Sequence, residues 1–197
     1  MNDQRVKRIA EFLRERNAVD AEIAAIMHRP MASGHLGEWI ASQAFGIELE
    51  PTATAAAIDG RFRSGPRQGR TVNIKCYPKR EGLLDMSESD QLDYYLVLTG
   101  PPSDAVPSRG GSRPWCIEAV FLFDARQLCA ERIERGVKRG IAASVLKRQW
   151  TAAEVYPADR PHRIQVSVSS PKAVLGSIPR SRYPRFSRAS VGKSRPV

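Results

Sequence analysis

No apolar stretch of this chain approaches the roughly 18 residues that a membrane-crossing helix requires. The opening residues 1–10 are charged where a secretory leader would be apolar, so the expectation is a cytoplasmic protein with no membrane partner. Cysteine is scarce. Cys76, Cys116 and Cys129 show no CxxC spacing and stand among apolar residues, which argues against a disulfide framework and against a zinc site. His28, His35 and His162 are scattered, so a histidine-rich metal site is not expected. Acid is missing from the end of the chain: Asp159 is the last acidic residue, and nine Lys or Arg follow it. The other 22 basic residues face all 21 acidic ones, so the net charge of +10 belongs almost wholly to residues 160–197. With Tyr183 and Phe186 interleaved, that tail suits a polyanion, and nucleic acid more than a membrane surface, because no amphipathic apolar face accompanies it. A merely solvated, disordered tail has the same composition.

A length of 197 residues with 42% hydrophobic content supports one sizeable core plus extensions. Residues 4–16 carry Val6, Ile9, Ala10 and Leu13 at helical spacing, and Asp20 is positioned to cap a second helix ending near Met27, before Pro30. The pair invites a helix-turn-helix reading, though two packing helices explain it better. Ser33 is the expected cap of a helix running to Phe45, with Gly46 just beyond in the position that favours a left-handed residue. On that helix Glu38 lies beside Ala41 and Phe45, either as a solvated carboxylate or as a ligand; His35 reads as a surface or supporting residue. Short strands are expected at 47–49 and 94–98, and a long one from Trp115 to Phe123, followed by a helix capped by Asp124 and ending near Gly136. Between them, residues 100–114 contain four prolines and three glycines, a long irregular loop. A short strand at 137–143, a helix capped by Ser144, and a further strand at 165–168 complete the expectation. Glu118 should be exposed.

The most informative stretch is Ala57 to Tyr77. Two strands are expected there, joined by Ser64-Gly65-Pro66-Arg67-Gln68-Gly69, a turn composition suited to a hairpin. Strand alternation sets Val72, Ile74 and Cys76 toward a core and Thr71, Asn73, Lys75 and Tyr77 on the other face. On the preceding strand Ile58 and Phe62 share one face while Asp59 and Arg61 share the other, so antiparallel pairing brings Asp59 and Lys75 onto one surface.

An acid on a helix, an acid on a strand, and Asn73-Ile74-Lys75 on the next strand together resemble the PD-(D/E)XK, or restriction-endonuclease-like, nuclease superfamily. The longer phrases EGLLDMSESDQLDYYLVLTGP and RPWCIEAVFLFDA are similar to an uncharacterised bacterial branch of it. The match spans about residues 33–124 and departs twice, with Ile58 in place of the proline and Asn73 in place of the second acid. The resemblance implies an α/β fold with a mixed central sheet flanked by helices over residues 31–160, an N-terminal helical extension over 1–30 and a basic, largely disordered tail over 161–197. It implies a Mg²⁺-dependent endonuclease, with Mn²⁺ as a substitute, acting on DNA rather than RNA, in a restriction or defence setting, and it leaves room for a homodimer. An inactive nucleic-acid-binding protein on the same fold is the alternative.

Within that resemblance Glu38 and Asp59 bind the metal, the Asn73 side chain and the Ile74 carbonyl complete its shell, and Lys75 orients the attacking water. Lys79, Arg80, Arg109 and Arg113 are candidates for holding a nucleic-acid backbone. Asp85, Glu88 and Asp90 could supply an alternative acid, ranked lower because a loop holds a metal less rigidly. If the tail contacts about five phosphates, log affinity falls against log salt with a slope of about −4.5. Removing residues 172–197 is expected to flatten that slope and weaken binding alike across sequences, as measured by fluorescence anisotropy in a salt series.

Overall fold

The computed structural model describes residues 3–51, 57–87, 89–102, 116–136 and 143–157. Arg109, Arg113, Glu88, Trp115, the strand expected at 165–168, most of the strand expected at 137–143 and the basic tail lie outside them.

The chain begins with one helix, α1 (Asp3–Met27), where two were expected. Nothing between Asn17 and Asp20 breaks a helix, and Ala, Arg and Glu dominate its length. Asp20 therefore does not cap a new helix; its carboxylate faces Arg16 one turn back, at 3.5 Å. The helix-turn-helix reading falls with this. His28, at φ 55°, ends α1 in a left-handed residue just before Pro30. The next helix, α2 (Ser33–Phe45), is entered from Ala32, so Ser33 is its first residue rather than its cap. Gly46 closes it at φ 59°, ψ 44°, as its position suggested.

Strands β1 (Ile47–Leu49), β2 (Gly60–Phe62), β3 (Thr71–Tyr77), β5 (Tyr94–Thr99), β6 (Ala119–Asp124) and β8 (Glu154–Tyr156) form one sheet in the order β1-β2-β3-β5-β6-β8. Only β3 and β5 are parallel, which makes the sheet mixed. A two-stranded ladder of β4 (Leu83–Leu84) and β7 (Ala143–Ser144) sits apart. Two further helices follow β6: α3 (Ala125–Glu134), whose first turn is capped by Asp124 accepting the Gln127 N–H at 2.8 Å, and α4 (Lys147–Ala153). Ser144 belongs to β7 and does not cap α4; the Gln149 side chain accepts the Leu146 N–H there instead.

Each face of the sheet carries its own apolar cluster. On one, Ile40, Ala41, Ala44 and Phe45 of α2 pack on Val72, Ile74, Leu96 and Leu98. On the other, Tyr95, Val97, Phe121 and Phe123 meet Leu128 of α3 and Trp150 of α4, whose indole stands edge-on to both phenylalanine rings. Two expectations change in consequence. The Thr71 and Asn73 face of β3 is not open to water: both residues are buried, at 4% and 3% exposure. Ile58 and Phe62 do not share a face either, since Ile58 joins the second cluster and Phe62 the first. The chain preceding β2 leaves the strand path, which frees Ile58 from the alternation of Gly60–Phe62. Glu118 is half-buried just ahead of β6.

The parallel pair is clasped at its start. The Asp93 carboxylate accepts from the Thr71 N–H at 2.9 Å, the Thr71 hydroxyl at 3.1 Å and Arg70 at 3.1 Å, while the Asp93 N–H donates to the Thr71 oxygen at 2.8 Å. Burial acts to raise the Asp93 pKa, but these donors outweigh it and hold it below the usual range. A lowered folded pKa contributes stability above the unfolded value, and this is lost as pH falls through the folded one. Asp93→Ala is expected to cost about 2 kcal/mol at neutral pH, and the gap from wild type in chemical denaturation should shrink as pH falls below about 4.

Candidate active site at the edge between β2 and β3

β2 and β3 are in register only at Gly60–Val72 and Arg61–Thr71. Asp59 keeps hold of β3 by one more main-chain bond, its N–H donating to the Val72 carbonyl at 2.9 Å, and the chain then departs. The next edge group of β3 on that side is the Ile74 N–H, which a departing strand would leave without a partner. The Asp59 carboxylate takes it, Oδ2 accepting at 2.6 Å. Because the N–H and C=O of one strand residue leave on the same side, the Ile74 carbonyl faces the same gap.

Asn73 braces the arrangement from the α3 and α4 side. Its Nδ2 donates to the Ala57 carbonyl at 3.1 Å, tying down the segment two residues ahead of Asp59. Its Oδ1 is buried and has no hydrogen-bond partner among the described residues. Lys75, two residues further along β3, lies on the same face as Asn73 and is half-buried.

Glu38 comes from the opposite layer. A Cβ on Gly37 would stand 2.4 Å from the Cys76 Cβ, so only glycine lets α2 approach β3 this closely. Gly34, one turn earlier, is in ordinary contact only: a Cβ there would meet Glu38 Oε1 at 3.9 Å. Glu38 is not a solvated carboxylate; its side chain is 18% exposed and pairs with the Arg29 guanidinium. The His35 Nδ1–H donates to the Pro30 carbonyl at 2.8 Å, which fixes the turn carrying Arg29. His35 thus supports the site from outside. Burial pushes the Cys76 thiol, packed under Gly37, up to about 11 and leaves it protonated.

The electrostatics of Asp59 bind these parts together. Burial raises its pKa most, the Ile74 N–H opposes that, Glu38 raises it further, and the charges of Lys75 and Arg29 lower it; the balance is upward. Glu38, Asp59 and Lys75 are therefore brought together, from two layers, around the sheet edge. The Asp85 N–H donates to the Tyr77 hydroxyl, and Asp90 is exposed on a groove with Ser87, Arg126 and Cys129.

Arg80 has a structural explanation, since its guanidinium stacks 5.6 Å from the centroid of the Phe121 ring. Lys79 is half-buried just past the end of β3. Sequence reasoning missed Arg29, whose place before Pro30 carries no signal, and the Ala57 carbonyl, which no side-chain pattern could reveal. Among the described residues no group of three His, Cys, Asp or Glu could hold a metal. No protein-family model matches this chain, and no curated protein is similar enough in sequence to count as a relative.

Since folding raises the Asp59 pKa, the fold favours the neutral acid. That contribution is full below the unfolded value and is lost as pH rises through the folded one. Asp59→Asn keeps an acceptor for the Ile74 N–H and removes the charge. The variant is expected to melt above wild type at pH 7, with the difference closing below about pH 4 in a thermal unfolding series.

Proposed function

We propose that the chain is a Mg²⁺-dependent endonuclease of the restriction-endonuclease-like fold, hydrolysing phosphodiester bonds of DNA rather than RNA. The observation that carries this reading is the Asp59 carboxylate, fastened to the Ile74 N–H at an opened sheet edge and surrounded by the charges of Glu38, Lys75 and Arg29. A buried carboxylate with a raised pKa beside a second carboxylate is unfavourable alone and suits a cation.

The residues fit a hard divalent ion. Asp59 and Glu38 offer carboxylate oxygens, and Asn73 Oδ1 is a buried acceptor with no partner among the described residues. The Ile74 carbonyl faces the same gap. When bound, Mg²⁺ neutralises phosphate charge and makes water more acidic. Lys75 supplies a positive charge for the phosphate oxygens and a donor to orient the nucleophile. Glu38 would hold the ion in place of its present partner Arg29, whose guanidinium would then be a second cation for the nucleic-acid backbone.

The other reading, an inactive nucleic-acid-binding protein, draws on two observations. Asn73 brings no negative charge, and Arg29 already neutralises Glu38. An acid at position 73 would set a carboxylate against the Ala57 carbonyl that the Asn73 amide now engages, so the amide has a structural reason to be there.

Plasmid nicking in Mg²⁺, Mn²⁺ and EDTA separates the two. The proposal expects metal-dependent cutting that falls by about a hundredfold or more in Lys75→Ala and in Asp59→Ala. Wild-type protein that binds DNA and cuts neither duplex nor single strand would leave only the binding reading.

A further inference from the structure

Of the large apolar side chains standing at least half exposed among the described residues, all but Ile133 belong to α1. They are Val6, Ile9, Phe12, Leu13, Val19 and Ile26, between 50% and 63% exposed. Only Met27, at the last turn, is buried in the fold, so most of the helix stands off the core with its apolar face bare. Spacing gathers that face into seven-residue series: Val6, Leu13 and Asp20, ending at the buried Met27; Ile9, Arg16 and Ile23; and Phe12, Val19 and Ile26 alongside the first. A seven-residue repeat keeps one seam turned toward a partner helix over several turns.

We propose that α1 pairs antiparallel with α1 of a second copy of this chain. Charge selects both the occupant and its direction. Residues 3–14 carry Arg5, Lys7, Arg8 and Arg14 against Asp3 and Glu11, whereas residues 15–27 carry Arg16 against Glu15, Asp20 and Glu22. An antiparallel pair sets each basic half on an acidic half; a parallel pair sets like on like.

The seam itself agrees. Arg16 and Asp20, its two polar members, are 3.5 Å apart within one helix and 72% and 34% exposed. A two-fold axis near residue 18 lays Arg16 against Asp20 of the second copy and Asp20 against Arg16. The same register brings Leu13 against Ile23 of the second copy and Val19 close to its own equivalent. Polar residues at single seam positions fix register and direction in this way.

Other occupants fit less well. The chain's own residues 160–197 are uniformly basic and would be repelled by the basic half of α1. A lipid surface would bury Arg16 and Asp20 with no new partner. Pairing through α1 is independent of the nuclease reading.

Sedimentation equilibrium of the full chain tests it, alongside Leu13→Glu, Arg16→Asp and the double swap Arg16→Asp with Asp20→Arg. Circular dichroism confirms that each variant stays folded, which is expected because these positions lie on the bare helix. Wild type should sediment at twice the chain mass and Leu13→Glu at the chain mass. Arg16→Asp sets a second carboxylate against Asp20 of the other copy and should weaken the dimer by at least about tenfold, and the double swap should restore it. The proposal is overturned if wild type is monomeric up to about 100 μM, if Leu13→Glu remains dimeric, or if Arg16→Asp dimerises as wild type does.

Discussion

Where β2 parts from β3, one main-chain N–H is left facing a gap, and the Asp59 carboxylate occupies the place a neighbouring strand would have held. Leaving that N–H unpaired would cost about 1–3 kcal/mol. The carboxylate is therefore part of the sheet and part of the site at once. Its position follows from backbone geometry rather than from a chosen rotamer on a loop, and that rigidity is what a charged centre needs. The Asn73 amide on Ala57 and the main-chain bond from Asp59 to Val72 secure the same segment from two further directions.

The second constraint is the approach of α2 to β3. Gly37 against Cys76 sets the distance between the layers and brings Glu38 close enough for its charge to act on Asp59. Arg29 then compensates Glu38 from the turn after α1. Three elements thus converge on one sheet edge without any of them having to cross the core.

Legibility in the sequence followed the reach of each signal. The antiparallel pairing across the 64–69 turn, the Gly46 stop, the Asp124 cap and the buried strand at 94–98 rest on local chemistry within a few residues, and each is present, although the first strand of the pair begins only at Gly60. The split of α1 into two helices failed because a capping residue without a breaker does not end a helix when an arginine one turn back offers it a partner. The burial of Thr71 and Asn73 was hidden because their partners are tertiary: Thr71 is held by Gln91 and Asp93, and Asn73 by the Ala57 carbonyl. Asp59, Lys75 and Glu38 could be picked out as residue types at a spacing. Arg29 could not, since what recruits it is a tertiary pairing with no sequence periodicity behind it.

Arg29, Glu38, Asp59, Asn73 and Lys75 all lie ahead of β5 in the chain, while Ile58 is anchored among Leu128 and Trp150, far downstream. During synthesis the charged members of the edge therefore emerge first, and the apolar cluster that holds Ile58, next to Asp59, is completed only with the last helices. A ribosome-bound fragment would own every charged group of the edge and yet lack the Leu128 and Trp150 side of the cluster that holds Ile58, so the site would mature by packing rather than by the addition of residues.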